Sequence, residues 1–265
     1  MYNSKLNAQK NMDNKSEQII NRTDFNNELW ISYLSTHLVY TAINKNTGQI
    51  VVFNEVDNYF ESKPSELEDF LSHLLTLSDT IPGLVKIIGY QLPKEPEDNL
   101  IIATNFMKNG SLAHHLDNYH HKNQKDKLTS TVRTKIIFGI ASTMKKLHNN
   151  NYSCKNLAPS NILFDENFEP LIDLDYYRFT QPGRPTDLMG PRLSYYFRTA
   201  PETFLEGTHS PLSNVYQFSM LLYQMFVEEH QIYPNLQWAD FILEGGRPER
   251  QSCIPDCYWE LIERC

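Results

Sequence analysis

Apolar positions change their rhythm part-way along the chain. Between residues 30 and 107 they come in short runs separated by turn signals. LVYTAIN (38–44) and IVVFNEV (50–56) flank Asn46-Thr47-Gly48, which predicts two strands joined by a hairpin turn. Leu67, Leu71, Leu74 and Leu77 then recur at helical spacing and predict a helix over 65–77. GLVKIIGYQL (83–92) and NLIIATNFM (99–107) predict two more strands, completing a small antiparallel sheet with one helix. After Asn109-Gly110 the pattern becomes helical. Ile136, Ile137, Ile140, Ala141, Met144 and Leu147 share one face of a long helix ending near His148. Residues 215–227 (VYQFSMLLYQMFV) are apolar nearly all round, as in a helix buried at the centre of a lobe. No internal repeat is visible.

A chain of 265 residues fits one large domain or two lobes sharing a crevice, with ample length to bury a core. Residues 1–22 are rich in Asn, Lys and Gln and predict a flexible extension. They have no apolar core and do not read as a secretory signal. No apolar run approaches the eighteen residues of a membrane-spanning helix. The net charge of −8 argues against a nucleic-acid or anionic-membrane surface, since both need clustered Lys and Arg. Four cysteines are too few for a disulfide framework, and Cys253 and Cys257 lack a second pair at zinc spacing. They read as reduced thiols of a cytoplasmic protein. His114, His115, His120 and His121 lack carboxylate or Cys partners at fixed spacing and read as solvated loop residues between two helices.

The candidate chemistry lies in SCKNLAPSNILFDENFEPLIDLDYYR (153–178). Cys154-Lys155-Asn156 is followed, after four residues, by Asn161, a β-hairpin, and Asp173-Leu174-Asp175. This spacing resembles the catalytic and metal loops of a protein kinase, His-Arg-Asp, four residues, Asn, then Asp-Phe-Gly. The resemblance extends over residues 25–265 and is nearest the tyrosine-kinase-like group of serine/threonine kinases. Thr104-Asn105-Phe106-Met107 resembles gatekeeper and hinge, and Asn109-Gly110-Ser111-Leu112 the start of the next helix. Leu147-His148 ends the long helix at the usual distance, Thr199-Ala200-Pro201-Glu202 carries the Ala-Pro-Glu signature, and Gly246-Arg247-Pro248 fits the C-terminal pattern. The resemblance implies an α+β, bilobal protein-kinase-like fold: a small antiparallel β lobe with one helix over 23–107 including the hinge, and a larger α-helical lobe over 108–265. The sequence stops at Cys265, before the position of the last helix in this group, whose arginine pairs with the glutamate here at Glu202.

By the same resemblance, Val39, Val52, Thr104, Asn105, Met107 and Leu163 are the nucleotide-binding positions, and Asn161 and Asp173 the magnesium ligands. Asn161 and Asp173 fit a structural role equally well, Asn161 tying the loop to its own backbone and Asp173 capping a turn. Leu77, Ile87, Cys154 and Leu174 fall on an internal apolar column, and Asn214 stands where an aspartate anchors the catalytic-loop backbone.

The chemical positions depart from the pattern. Ser32, Leu34 and His37 stand where glycines let backbone N–H groups approach the ATP phosphates. Asn54 stands at the lysine that pairs with the phosphates, and 32–40 contains no Lys or Arg to replace it. The glutamate partner of that lysine is expected near His73. Val52 adds two methyl groups where alanine faces adenine. Asn156 stands at the catalytic aspartate, and an amide is no useful base at neutral pH; Ala158 replaces the lysine aimed at the γ-phosphate. The resemblance thus implies ATP and Mg²⁺ as cofactors, while the substitutions predict weak or absent binding. They predict a catalytically impaired pseudokinase, a regulatory or scaffolding module with protein partners such as an active kinase or a kinase substrate. The alternative is a weak or unconventional ATP-dependent kinase using Asp173, Asn161 and Asp175. The tyrosines of the activation segment, Tyr195 and Tyr196 among them, are expected to form a docking surface or to pack on the lower lobe.

Overall fold

The computed structural model describes residues 19–34, 37–56, 64–95, 98–121, 128–174, 197–228 and 238–265. The described residues divide into two compact units, one up to Phe106 and one from Met107 onward.

The first unit is a five-stranded antiparallel sheet with one helix. Its strands are β1 (Phe25–Leu34), β2 (His37–Asn44), β3 (Ile50–Val56), β4 (Ile87–Gln91) and β5 (Leu100–Asn105), in the order β1-β2-β3-β5-β4. Helix α1 (Pro64–Thr80) packs against β4. The β2–β3 turn closes because Asn44 Oδ1 accepts the amides of Asn46 and Thr47 at 2.9 and 3.0 Å, while Gly48 takes φ +71°. Leu67, Leu71, Leu74 and Leu77 of α1 are all buried, as their spacing predicts, and Leu75 joins them. Strand β1 begins at Phe25, five residues before the apolar runs read from the sequence, since its first half, FNNEL, is mostly polar.

Because strand side chains alternate, register sorts the sheet into two faces. Phe53 sits opposite Tyr40 and Ala103, and Val51 opposite Ala42. These residues, with Phe25 and Ile101, form one buried cluster. Val52 lies opposite Thr41 and Thr104, and Asn54 opposite Val39 and Ile102, on the other face. Ile19 to Arg22, assigned from sequence to the extension, are tied to the sheet: the Ile20 amide donates to Tyr90 O at 2.9 Å and that of Arg22 to Gln91 Oε1 at 2.9 Å.

The second unit contains helices α2 (Leu112–His121), α3 (Ser130–Asn149), α4 (Pro201–Glu206), α5 (Pro211–Gln224), α6 (Trp238–Leu243) and α7 (Asp256–Arg264), with the hairpin β6 (Ile162–Phe164) and β7 (Pro170–Ile172). Thr129 caps α3 by accepting the Val132 amide, and the helix buries Ile136, Ile137, Ile140, Met144 and Leu147. Helix α5 is buried along nearly its whole length but is shifted relative to expectation. It starts at Pro211, where Ser210 and Ser213 form a reciprocal capping box, and it ends at Gln224, short of Val227.

The histidine cluster is a correction. It lies in helix α2, not in a loop, and His115 is buried with Nε2 2.7 Å from Asn109 O. The ring also meets Phe164 and Phe168 edge-on, which explains how a polar-looking stretch supports a helix.

Candidate active site

In the first unit, Val39, Val52 and Thr104 share one sheet face, while Asn105 lies on the opposite face with Val51 and Ala103. Val39 and Thr104 are buried, and Val52 and Asn105 are half-buried. Asn105 pairs with Val51, and its Oδ1 accepts from Gln49 Nε2 at 3.3 Å. Asn54 occupies the lysine position on the Val52 face. It is 3% exposed, and its Nδ2 points along the sheet to Ile102 O at 3.5 Å. The amide is thus turned into the sheet, and no Lys or Arg occurs on this face among Val39, Thr41, Val52, Asn54, Ile102 and Thr104. Leu29, which sequence reasoning passed over, stands opposite Thr41 on this face and is 68% exposed. Its signal was weak because Leu29-Trp30-Ile31 is a short apolar triplet that shows no alternation. Ser32 and Leu34 pair with Val39 and His37, so the former glycine positions belong to the β1–β2 ladder. His73, at the expected glutamate position, lies on α1 and is exposed. Leu77 and Ile87 are both buried.

In the second unit, Met107 is half-buried at the start of a turn in which its carbonyl accepts the Gly110 amide at 3.1 Å. That turn is pinned to the hairpin: Phe164 N donates to Gly110 O at 2.9 Å and Asn109 Nδ2 to Asp165 O at 2.6 Å. Leu163, in β6, pairs with Leu171 and forms a bridge with Ser111. The hairpin in turn fixes the two expected metal ligands. Asp173 N donates to Asn161 O at 2.8 Å, so the two residues sit on adjoining backbone. The Asn161 side chain is engaged locally, with Nδ2 donating to Asn156 O at 3.0 Å and Oδ1 accepting from Ser160 Oγ at 3.1 Å. Asn161 therefore ties the loop that carries Asn156 to its own backbone. Ala158 is buried, leaving a methyl group where a cation is expected. Cys154 and Leu174 are both buried.

The loop is gripped from beneath by two amides of α5. Asn214, 1% exposed, accepts the Cys154 amide on Oδ1 at 2.9 Å and also faces His148 Nε2 at 3.2 Å. Its Nδ2 donates to Cys154 O at 2.5 Å and to Gln217 Oε1 at 2.9 Å. A carbonyl oxygen can only accept, so the orientation of this amide is fixed by the backbone. Gln217 continues the grip, donating from Nε2 to Lys155 O at 2.8 Å and accepting the Leu157 amide at 3.4 Å. Sequence reasoning found Asn214 and missed Gln217; two amides three apart on a buried helix were the available signal. His209, between α4 and α5, has a buried Nδ1 with no hydrogen-bond partner among the described residues. Burial, with the charge of Lys155, pushes its pKa down to about 4. Asp175, Tyr195 and Tyr196 lie outside the described residues.

Residues 38–265 match the profile of the protein tyrosine and serine/threonine kinase family. The chain belongs to that family. Its kinase domain is 27% identical over 205 residues to human tyrosine-protein kinase TXK, covering 75% of this chain and 37% of that protein. It is 29% identical over 234 residues to receptor-like kinase LIP2 of Arabidopsis thaliana, covering 82% of this chain and 40% of the relative. It is also similar to a putative serine/threonine-protein kinase/receptor, R831, of Acanthamoeba polyphaga mimivirus: 27% identical over 222 residues, 79% of this chain and 13% of the relative. The chain thus spans well under half the length of these relatives. The sheet with its single helix and the helical second unit are the two parts of the α+β kinase fold. Among the described residues, no helix is long and apolar enough to cross a membrane.

Proposed function

We propose that this kinase domain is catalytically impaired and acts as a regulatory or scaffolding module in signalling, binding protein partners such as an active kinase or a kinase substrate. The observation that carries this reading is Asn54. A neutral amide, buried and directed at Ile102 O, stands where a cation would meet the nucleotide phosphates. Asn156 compounds the loss. A general base contributes about 10²–10⁴ in rate, and an electrostatic donor to the transferring group about 10²–10³. Against a kinase turnover of about 1–100 s⁻¹, even partly additive losses leave little activity.

ATP fits these residues poorly. The expected adenine wall, Val39, Val52 and Thr104, presents apolar and hydroxyl groups, but among the described residues of β2, β3 and β5 this face supplies no positive charge for a triphosphate. Mg²⁺ fits better, since Asn161 and Asp173 are oxygen donors on adjoining backbone, although Asn161 Oδ1 already accepts a hydrogen bond from Ser160. That pairing favours the second reading, a weak or unconventional ATP-dependent protein kinase whose remaining chemistry rests on Asp173 and Asn161.

A melt with ATP, with and without Mg²⁺ or Mn²⁺, separates the two. Ligand at 100-fold above Kd stabilises by about 2.7 kcal/mol. The impaired reading expects no shift at micromolar ATP. A clear shift together with phosphotransfer that disappears in Asp173→Asn supports the enzyme instead.

A further inference from the structure

The buried cluster on the first sheet face is covered in part by residues that precede the sheet. Ile20, itself half-buried, packs against the cluster that contains Phe25, Tyr40 and Phe53. The 3₁₀ turn Arg22–Asp24 follows, and the Arg22 guanidinium lies 5.2 Å from the centre of the Tyr40 ring. The same guanidinium forms a two-pronged pair with Glu28, 3.0 Å from Nε to Oε1 and 2.8 Å from Nη2 to Oε2. Its Nη1 lies 3.6 Å from Glu55 Oε2, which also accepts the Tyr40 hydroxyl at 2.5 Å. Asn99 Nδ2 completes the group at 3.4 Å from Glu55 Oε1. Glu55 follows Asn54 in β3, so this arginine connects the N-terminal segment to the strand that carries the lysine position.

The fastening is weak compared with what it covers. The side chains of Arg22 and Glu28 are 40% and 33% exposed, so their attraction is open to water and salt. Two backbone bonds, Ile20 N to Tyr90 O and Lys45 N to Asp24 O, with Arg22 N to Gln91 Oε1 and the exposed Lys45 Nζ to Thr23 O bond, hold the rest. Beneath lie aromatic rings with almost no exposure, Phe53 at 0% and Tyr40 at 6%. A segment attached mainly by exposed polar contacts opens at lower cost than the sheet it covers.

We propose that residues 19–24 form a releasable strap, locked by Arg22 to Glu28 and Glu55, which covers the aromatic face of the sheet and steadies β3 beside Asn54. Release uncovers Tyr40 and Phe53 while leaving the helical unit folded.

Residue-resolved hydrogen exchange on the whole chain tests this, comparing wild type, Arg22→Ala and Glu55→Gln, each at low salt and in 0.5 M NaCl. The expected result is exchange about fivefold to tenfold faster at the Ile20 and Lys45 amides in Arg22→Ala, with amides of α3 and α5 unchanged. Salt speeds wild-type exchange at the same two amides, and anilinonaphthalene sulfonate fluorescence rises as the aromatic face opens. Glu55→Gln, which keeps an acceptor for Tyr40 but loses the charge, gives a smaller effect in the same place. Unchanged exchange at Ile20 and Lys45 in Arg22→Ala overturns the proposal. So does acceleration by the same factor in α3 and α5, which would make the segment part of one global unfolding unit.

Discussion

Restoring the aspartate of the family pattern by Asn214→Asp should destabilise this protein. The amide makes four contacts, accepting from Cys154 N and His148 Nε2 and donating to Cys154 O and Gln217 Oε1. A carboxylate keeps the first two and strengthens them, a gain of about 1.5–3 kcal/mol for hydrogen bonds to a charged group. It replaces the donor with an oxygen facing two other oxygens, at a position 1% exposed. An uncompensated buried charge costs about 3–5 kcal/mol. The net is a loss of about 2 kcal/mol, which lowers Tm by roughly 4–8 °C in a chain of this size. Gln217 relieves the clash by turning its amide over, but its oxygen then meets Lys155 O and the loop loses that contact instead.

The pH dependence makes the argument specific. An acid held in that position has a folded pKa raised above its unfolded value near 3.9. The native state then keeps a proton that the unfolded chain has released, so stability falls as pH rises from about 4 toward neutrality. Urea or thermal melts of wild type and Asn214→Asp between pH 5 and 8 measure this. A variant as stable as wild type at pH 7, or a deficit that does not grow with pH, refutes the reasoning.

His209 should leave its own signature. With a folded pKa near 4 against an ordinary 6.5, it resists protonation in the native state, so stability declines as pH drops from 6.5 toward 4, and His209→Gln should flatten that part of the pH–Tm curve. The pair between Arg22 and Glu28 has the same direction of pH dependence from a different cause: the hydrogen bond from Arg22 holds the Glu28 carboxyl below its ordinary range, so its contribution is present at neutral pH and is lost on acidification through the lowered folded pKa, seen as a smaller protection factor at the Ile20 amide. Gly139→Ala should cost about 1–3 kcal/mol in a urea melt, because a Cβ there would sit 2.6 Å from the Pro170 ring and push α3 off the hairpin. Thr129→Ala removes the N-cap of α3 and should cost about 1 kcal/mol by the same measurement.

Much of the sheet was legible because β2 and β3 are short apolar runs on either side of a turn that carries Asn44 and Gly48 in the positions the geometry demands. Helix α3 was legible from its period, six apolar residues on one face. What escaped notice depends on contacts distant in sequence. Arg22 and Gln91 are 69 residues apart, and nothing in either neighbourhood announces their bond. The burial of His115 rests on Phe164 and Phe168, which arrive only when the hairpin folds back. At the candidate site, the resemblance to the kinase pattern named Asn54, Asn156, Asn161, Asp173 and Asn214. It could not show that the Asn54 amide turns along the sheet or that Gln217 shares the work of Asn214, since both depend on side-chain direction.

The two amides of α5 also constrain how this sequence can change. Asn214 and Gln217 share a single hydrogen bond in which one must donate and the other accept. A carboxylate at 214 meets one opposing oxygen fewer once the residue at 217 has ceased to present one, leaving Cys154 O as the contact still to be relieved. The order of substitution therefore matters. A lineage that changes position 214 first sets a charge against two oxygens, whereas one that changes 217 first gives up neutral contacts to Lys155, Leu157 and Asn214. The pair works as a ratchet, and regaining a charged anchor beneath the loop takes two changes in sequence rather than one.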